Sequence, residues 1–414
     1  MKIFFIASDI PYPGFSGGNV INWSIVNYLI ERGHKLTLFV NPPRFGENEI
    51  DKNLEEKMIN LVKSLKCDFV SIDFQKKIKK KNFFQKLISN KFEDYYKSCN
   101  VSSEIGNLIE QKVLEIQPDL MLCYGSAAMH WTKDIKIKKS GFVDLPTAMC
   151  YATLLMHEGS RFSISYLKKL ILYLKAKRFL KKDVVIEAND VTIPFVHSGD
   201  YKKSFLENGL KKCLHIIPPY FDHIKFHNKK IDKPKRDYFK IIIPGLMSTV
   251  NKSQLFILKN YVFPYLEKNI DMKKIQFHMV GTKYEDMPKY FQNKNYVVAR
   301  GFVEDFNYEL QDCDLFYCMT PYRLGLRTRI LDALNYGNLI LTSNLDKISL
   351  PFLEDKKNCY IVEDFKSIGS SILEIMGDVN ASNIKKNARK AYEEELSFKI
   401  AGKKFEDIIL YEKY

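Results

Sequence analysis

The sequence lacks any regular spacing of cysteines. Its eight cysteines contain no CxxC pair, and the closest two are Cys313 and Cys318. Zinc sites and the disulfide frameworks of secreted domains both depend on such spacings. We therefore expect reduced thiols in a cytosolic protein, and no metal site.

A long apolar run is also missing. No stretch of the sequence is apolar over the roughly 20 residues that a membrane-spanning helix needs. The amino-terminal run stops before Asp9 and is followed by prolines, which is typical of a buried strand and not of a secretory signal peptide. We expect a cytoplasmic protein that, if it meets a membrane, lies on the inner surface of that membrane.

Acidic residues are fewer than basic ones. The 49 Asp and Glu residues stand against 64 Lys and Arg residues, which gives a formal net charge of +15. Such an excess favours an anionic partner, either nucleic acid, an anionic bilayer or a phosphorylated substrate. A general bias towards lysine would produce the same charge without any such partner. The remaining composition, 46% hydrophobic and 27% charged, is that of a globular protein and argues against disorder.

The amino-terminal segment has the pattern of a βαβ unit. The apolar run KIFFIAS is followed by a loop with glycines, a helical pattern from about Val20 to Glu31 that Gly33 closes, and a second apolar run, HKLTLFV. Continuous apolar runs are typical of strands buried on both faces of a parallel sheet. Units of this kind build doubly wound α/β sheets.

A second α/β segment begins near residue 238. Residues 216–237 lose periodicity and gather proline and charge, as a linker does, and KIIIPGLMS then restarts the pattern of strand, glycine turn and helix. A chain of 414 residues is long enough for two domains with separate cores. We predict a Rossmann-like domain over 1–215, the linker over 216–237, a second Rossmann-like domain over 238–395, and a terminal helix over 396–414 that packs back on the first domain.

The stretch LGLRTRILDALNYG combines a glycine turn, two arginines and an aspartate at helical spacing. Gly325 and Leu326 would present free backbone N–H groups at a helix N-terminus, where an anionic phosphate is stabilised. Arg327 and Arg329 would add bidentate donors to phosphate oxygens. Asp332 lies on the same helix face as Arg329, where its carboxylate can accept hydrogen bonds from ribose hydroxyls. A surface helix in which Arg329 merely pairs with Asp332 would have the same spacing.

This stretch resembles the donor-binding segment of family 4 glycosyltransferases. These enzymes have the GT-B architecture, an α/β fold of two Rossmann-like domains facing each other across a cleft. Their pattern, roughly G-x-R-x-K-x-x-E-A-x-x-x-G, is matched in register, with Arg for Lys and Asp for Glu, by Gly325, Arg327, Arg329, Asp332, Ala333 and Gly337. Two positions depart from the family. Leu324 stands where many members carry a further glutamate, and Met247 stands where an arginine usually follows the first strand of the second domain.

Further segments resemble the same family in the expected order. Gly17 and Gly18 occupy the place of its opening glycine loop, which approaches the donor phosphate or the acceptor, although a plain tight turn would contain the same glycines. Phe302 and Val303 occupy the place of the base-binding strand, whose backbone contacts the nucleobase. Lys252 falls near a phosphate-binding basic residue, or is a solvated loop lysine.

The resemblance implies a retaining transfer of a hexose from a nucleoside diphosphate sugar, without a metal or another cofactor. Arg327, Arg329 and Lys252 would stabilise the negative charge that develops on the leaving diphosphate. Asp144 takes the place of a family histidine near the sugar, and would either orient a hydroxyl of the sugar or the acceptor, or cap the following segment. His157 is the one histidine that we would test for a role in the reaction.

The expected acceptor is a cell-envelope glycan or a lipid-linked one, for example in lipopolysaccharide or capsule synthesis. Lys76–Phe84 places lysines beside two phenylalanines, a composition suited to peripheral contact with anionic headgroups. A second basic stretch, SYLKKLILYLKAKRFLKK, is expected to pack its apolar face on the sheet.

Other interpretations of the sequence stay open. The chain could be a nucleotide-sugar epimerase of related architecture, or a non-catalytic partner subunit, which the departures at Leu324 and Met247 favour. A nucleic-acid-binding protein is less favoured, because the sequence has no zinc finger, no RNP-like aromatic motif and no concentrated basic groove. We therefore predict no nucleic-acid partner.

Overall fold

The computed structural model describes residues 1–7, 9–13, 17–40, 49–71, 102–143, 170–171, 173–174, 177–178, 180–217, 236–245, 254–303, 306–319 and 326–411. These residues form two compact units. The first unit takes in the described residues up to 143, from 171 to 217 and from 398 to 411. The second takes in residue 170 and the described residues from 236 to 397. No helix within these ranges combines the length and the apolar character needed to cross a membrane.

The first unit is built on a parallel sheet of seven described strands in the order β3-β2-β1-β4-β5-β6-β7. Its strands are β1 (Lys2–Ala7), β2 (Lys35–Val40), β3 (Asp68–Ser71), β4 (Leu120–Tyr124), β5 (Lys139–Phe142), β6 (Ile193–Val196) and β7 (His215–Ile216). Its helices are α1 (Gly17–Glu31), α2 (Glu49–Lys63), α3 (Ser102–Ile116), α4 (Ser126–Trp131), α5 (Val185–Asp190) and α6 (Gly199–Glu207), with a π-helical turn at Leu180–Val184 before α5.

The burial of the central strand β1 on both faces of the sheet explains why its sequence is continuously apolar. Ile3, Phe5 and Ala7 belong to the hydrophobic core on one face of the sheet. Phe4 and Ile6 belong to the core on the opposite face. Because side chains of a strand alternate between the two faces, a strand covered on both faces needs apolar residues at every position. The predicted βαβ opening of β1, α1 and β2 is confirmed.

The second unit has a parallel sheet of six described strands in the order β10-β9-β8-β11-β12-β13. Its strands are β8 (Phe239–Pro244), β9 (Ile275–Val280), β10 (Val297–Gly301), β11 (Leu315–Cys318), β12 (Ile340–Ser343) and β13 (Tyr360–Val362). Its helices are α7 (Phe263–Asn269), α8 (Lys289–Gln292), α9 (Phe306–Gln311), α10 (Thr328–Asn335), α11 (Asn344–Ser349), α12 (Ile368–Met376) and α13 (Ala381–Glu395). Shorter turns are a π-helix at Leu258–Val262 and 3₁₀ helices at Met272–Lys274, Tyr284–Asp286 and Phe365–Ser367.

The last helix, α14 (Phe398–Ile409), belongs to the first unit. Its buried Glu406 accepts hydrogen bonds from the Tyr28 hydroxyl at 2.9 Å and from Arg32 Nε at 3.0 Å. Its Gly402 lies under Tyr28, where an added Cβ would come within 2.1 Å of the ring. The close approach of α14 to α1 therefore depends on glycine at position 402.

Candidate functional site

The sheet of the second unit has one point at which its strand order reverses. The chain runs outward from β8 to β9 and β10, and then returns to place β11 on the other side of β8. In doubly wound sheets, ligands bind outside the carboxyl ends of the strands at such a point. Pro244 ends β8 and Cys318 ends β11, and the next helix, α10, starts from the same edge. The predicted donor-binding segment therefore occupies the favoured position in the fold.

Arg329, in the first turn of α10, is largely buried against this edge. Its Nη1 donates a hydrogen bond to the backbone carbonyl oxygen of Pro244, so the helix is tied to the end of β8. Burial lowers the pKa of the guanidinium, while the nearby charges of Asp332 and Asp346 act in the opposite direction. An arginine remains protonated at neutral pH in spite of such a shift. Arg329 therefore supplies a fixed positive charge, and the charge of Asp332 lies near it, as the spacing predicts.

Arg327 occupies the N-cap position of α10, in an extended conformation with φ −96° and ψ 97°. Its carbonyl oxygen accepts the N–H of Ile330 at 3.0 Å, which starts the helix. Its Nη2 is buried, yet it has no hydrogen-bond partner among the described residues. Buried polar groups in folded proteins are normally paired, and an exception requires an explanation. A cationic donor left unpaired beside a helix N-terminus is suited to an anionic ligand.

Two buried groups that the sequence analysis did not single out lie near these arginines. Burial raises the pKa of Asp346, in α11, although the positive charge of Arg327 and hydrogen bonds from Ser343 and Thr342 act to lower it. Burial raises the pKa of the Cys318 thiol to about 12, again against the charges of both arginines. Asp346 follows a different strand from Arg327, so no local spacing pattern joins the two residues.

The carboxyl end of the edge strand β10 carries an exposed aromatic side chain. Phe302 directly follows β10 and is 76% exposed, whereas the adjacent Val303 is half-buried. Gly301 adopts φ +63°, a backbone conformation that favours glycine, and open space surrounds the position of a Cβ there. Its N–H donates to the carbonyl oxygen of Thr282 at 2.9 Å, and its carbonyl oxygen accepts the N–H of Gly281 at 2.6 Å. The turn thus holds Phe302 outward at the predicted base-binding position.

The two glycines predicted for a loop of the first unit are helical instead. α1 begins at Gly17 and not near Val20, so Gly17 and Gly18 form its first turn. An added Cβ at Gly18 would lie 2.8 Å from Asp9 Oδ2, so a larger residue would displace that carboxylate. Asn22 Nδ2 donates to the Asp9 carbonyl oxygen at 2.8 Å and holds the preceding loop against the helix. This close packing explains why the helix starts at residues that are poor helix formers.

Several predicted site residues lie outside the described residues. These are Asp144, Lys252 and Gly325, the departures Met247 and Leu324, His157, and the basic segment Lys76–Phe84. Leu326 is described and partly exposed, directly before Arg327. The roles assigned to all of them stay predictions.

Sequence analysis also missed an aromatic cluster at the carboxyl edge of the first sheet. His197 directly follows β6, where it stacks on Phe142 with ring centroids 4.3 Å apart. Its Nδ1 lies 2.9 Å from the Ile217 carbonyl oxygen and therefore donates to it, so Nε2 accepts from the Tyr124 hydroxyl at 2.8 Å. Burial lowers the pKa of His197 to about 4, which keeps the imidazole neutral at pH 7. The partners come from three other parts of the chain, so no spacing in the sequence could indicate them.

The second unit also carries a family match. Residues 238–378 match the family model described as "Glycosyl transferases group 1". The group 1 region runs from β8 into the turn after α12, and so includes Phe302, Arg327, Arg329, Asp332 and Asp346. No curated protein sequence matches the chain significantly.

Solved structures extend the likeness to the whole chain. HepE from Anabaena, in complex with UDP and glucose, is 13% identical with a TM-score of 0.63, and the match covers 98% of each chain. TarM from S. aureus, in complex with UDP, fondaparinux and α-GlcNAc-glycerol, is 12% identical with a TM-score of 0.64, over 99% of this chain and 100% of that one. The apo form of WaaB, a lipopolysaccharide outer core galactosyltransferase, is 12% identical with a TM-score of 0.60, over 100% of both chains. The fold is therefore GT-B, as predicted.

Proposed function

We propose that the protein is a retaining glycosyltransferase of the family 4 type, which transfers a hexose from a nucleoside diphosphate sugar without a metal ion. The observation that carries this proposal is the buried Nη2 of Arg327 at the start of α10, which has no partner among the described residues. It lies at the strand-order reversal, beside the fixed charge of Arg329. The group 1 match of residues 238–378 independently supports a glycosyltransferase.

The donor diphosphate would lie against the first turn of α10. Arg327 would donate hydrogen bonds to its oxygens, and Arg329 would contribute positive charge from behind without leaving Pro244. When the bond between sugar and phosphate breaks, negative charge develops on the departing diphosphate. Cationic groups already in place stabilise that charge without reorganisation, which lowers the barrier. Lys252, which precedes the first described residue of the following helix, Gln254, by two positions, would add a further positive charge.

The nucleoside would extend from the diphosphate along the same edge of the sheet. Asp332 lies one turn into α10, where its carboxylate would accept hydrogen bonds from the ribose hydroxyls. The base would reach Phe302 and Val303 at the end of β10. The neighbours HepE and TarM were solved with UDP, which supports uridine as the first nucleoside to test.

The acceptor would be a glycan or a lipid-linked glycan of the cell envelope. TarM was solved with α-GlcNAc-glycerol, and WaaB is a lipopolysaccharide galactosyltransferase, so both neighbours support an acceptor of this class. Such an acceptor fits a cytoplasmic protein held at the inner face of the membrane through Lys76–Phe84. Asp144, two residues after β5 ends in the sequence, would orient the acceptor or the transferred sugar. Gly17 and Gly18 would approach the donor phosphate or the acceptor.

The proposal is tested by calorimetric titration of the purified protein with UDP, GDP, ADP and CMP. We expect one nucleoside diphosphate to bind preferentially, and its sugar derivatives then to serve as donors in a transfer assay. A folded protein that binds none of the four would contradict the proposal. Binding without transfer to any envelope glycan would instead favour a non-catalytic partner subunit.

A substitution of Asp332 tests the placement of the nucleoside. Asp332→Ala should weaken binding of the preferred nucleoside diphosphate about tenfold, because the ribose loses hydrogen bonds to a charged acceptor. The same variant should bind inorganic pyrophosphate as the wild type does, and should remain folded at the assay temperature. Unchanged nucleotide binding would remove Asp332 from the site.

A further inference from the structure

A buried acid lies at the carboxyl edge of the second sheet, and the proposed function assigns it no role. Asp346, in the first turn of α11, is 3% exposed. Its Oδ2 accepts hydrogen bonds from Thr342 Oγ1 and from Ser343 Oγ, each at 2.8 Å. Both donors are hydroxyls from the end of β12, so the carboxylate is held in one orientation, and it has no salt bridge to a described residue.

The charged groups around Asp346 belong to the proposed diphosphate site. From α10, Arg327 acts on the carboxylate directly through its charge, and Arg329 lies in the same cluster. From β11, the Cys318 thiol faces it, but its pKa of about 12 leaves it neutral. Lys347, the next residue of α11, is exposed. The positive charges near Asp346 on described elements are therefore those of the two arginines, and Asp332 of α10 is a further acid in the same cluster.

Asp346 and Arg327 attract each other without touching. The charge of Arg327 favours the ionised carboxylate, yet within the described residues no ion pair joins the two side chains, and Arg327 Nη2 is left without an acceptor. Burial works against the ionised carboxylate and raises its pKa. The Arg327 guanidinium thus lies near one carboxylate, whose ionisation burial disfavours, and its Nη2 can still donate a hydrogen bond to a second anion.

We propose that Asp346 is the internal counter-ion of the donor-diphosphate site, which balances Arg327 while the site is empty and takes up a proton when the diphosphate binds. This inference rests on the proposed function. Its physical basis is competition between two anions for one cation. A diphosphate at Arg327 screens the guanidinium from Asp346 and adds negative charge close by, so the carboxylate becomes easier to protonate. By linkage, protonation of Asp346 must in turn favour binding of the diphosphate.

The sign of the pH effect follows from this linkage. When the pH falls through the raised pKa of Asp346, the repulsion between its carboxylate and the diphosphate is lost, and binding tightens. Above that pKa the carboxylate is ionised and opposes binding. An amide at position 346 is neutral at every pH and has nearly the same shape, so the dependence should disappear in that variant.

The test is calorimetry between pH 5 and pH 8 in two buffers of different ionisation enthalpy, which counts the protons taken up. The probe is the sugar nucleotide of the preferred base, UDP-glucose if that base is uracil, since its diphosphate is esterified at both ends and does not titrate in this range. The wild type should bind more tightly at low pH, with proton uptake. Asp346→Asn should bind about fivefold more tightly than the wild type at pH 8, without proton uptake, and this difference should shrink as the pH falls.

Two further variants separate this role from a merely structural one. Asp286→Asn removes an exposed acid of the same unit and should behave as the wild type does. Ser343→Ala keeps the carboxylate but removes one hydrogen-bond donor to it, so proton uptake should persist and move to higher pH. If Asp346 only caps α11, Asp346→Asn and Ser343→Ala would lower the melting temperature and leave the proton count and the affinity unchanged.

The outcomes are distinct from those that test the proposed function. A wild type that binds no nucleotide overturns that function, and this inference with it. A wild type that binds, together with an Asp346→Asn variant of unchanged affinity and unchanged proton uptake, overturns only the inference. Weaker binding by Asp346→Asn at all pH values would also overturn it.

Discussion

The two ends of the second sheet differ in whether their buried charged side chains have partners among the described residues. At the amino end, Lys240 Nζ lies 2.9 Å from Glu309 and 2.7 Å from Asp312, and Arg236 pairs with Asp312 at 2.6 Å and Asp314 at 2.7 Å. At the carboxyl end, a nitrogen of Arg327 is buried without a partner among the described residues.

This contrast distinguishes charged side chains that stabilise the fold from charged side chains that are available to bind a ligand. A buried charge is tolerated when it is paired and hydrogen-bonded, and each member of such a network depends on the others. The amino-end network satisfies these conditions within the chain. The carboxyl-end arginine does not, and a binding site is where an unsatisfied donor is expected. Substitutions at the two ends should therefore have opposite consequences.

The largest effect is expected at the amino end. Lys240→Met should lower the free energy of unfolding by about 3 kcal/mol, because it leaves Glu309 and Asp312 buried with one partner fewer. Chemical denaturation measures this loss. The affinity of the variant for the preferred nucleoside diphosphate, measured where the variant is still folded, should equal that of the wild type. A stable variant with impaired nucleotide binding would reverse the roles of the two ends.

Arg327→Ala should produce the opposite result. Loss of a charged donor to the diphosphate should weaken nucleotide binding about 100-fold in calorimetry. The free energy of unfolding should fall far less than in Lys240→Met, since no hydrogen bond of the Arg327 side chain to a described residue is lost and Asp346 can take up a proton. Arg327→Lys is the matched control, because it keeps the charge and removes the fork, and it should lose about tenfold. An Arg327→Ala variant that binds nucleotide normally would break the comparison.

The smallest effect on nucleotide binding is expected for Phe302, at the end of the edge strand β10. Phe302→Ala should weaken binding of the nucleoside diphosphate about tenfold if the exposed ring stacks on the base. Inorganic pyrophosphate should bind the variant and the wild type equally. Phe256→Ala, which removes another exposed aromatic ring of the same unit, is the control. If Phe302→Ala has no effect, the base contacts only the backbone there, as the resemblance to family 4 enzymes implies.

Much of the fold could be predicted because its signals are local. The strand β1 is buried on both faces, so every residue of Ile3–Ala7 must be apolar, and this leaves a continuous run in the sequence. The donor segment could be recognised for the same reason, since Arg327, Arg329 and Asp332 lie at the start of one helix, which sets their spacing. The start of α1 at Gly17 could not be predicted, because it depends on close packing against Asp9.

The rest of the site depends on contacts between distant parts of the chain. His197 is held by Tyr124 and Ile217, which lie on other segments, and the charge of Arg327 acts on Asp346 although the two residues follow different strands. A histidine or an aspartate at such a position has no periodic neighbours to reveal its role. The pairing of the charges at the amino end of the second sheet is equally non-local. Only the assembled sheet distinguishes Lys240, which is paired, from Arg327, whose Nη2 has no partner in the described part of the chain.

The most direct test of the account is a crystal structure of the protein with the nucleoside diphosphate that binds most tightly. The account predicts a diphosphate oxygen within hydrogen-bond distance of Arg327 Nη2, and the ribose hydroxyls on the carboxylate of Asp332. A nucleotide bound elsewhere, with Arg327 Nη2 still unpartnered, would contradict it.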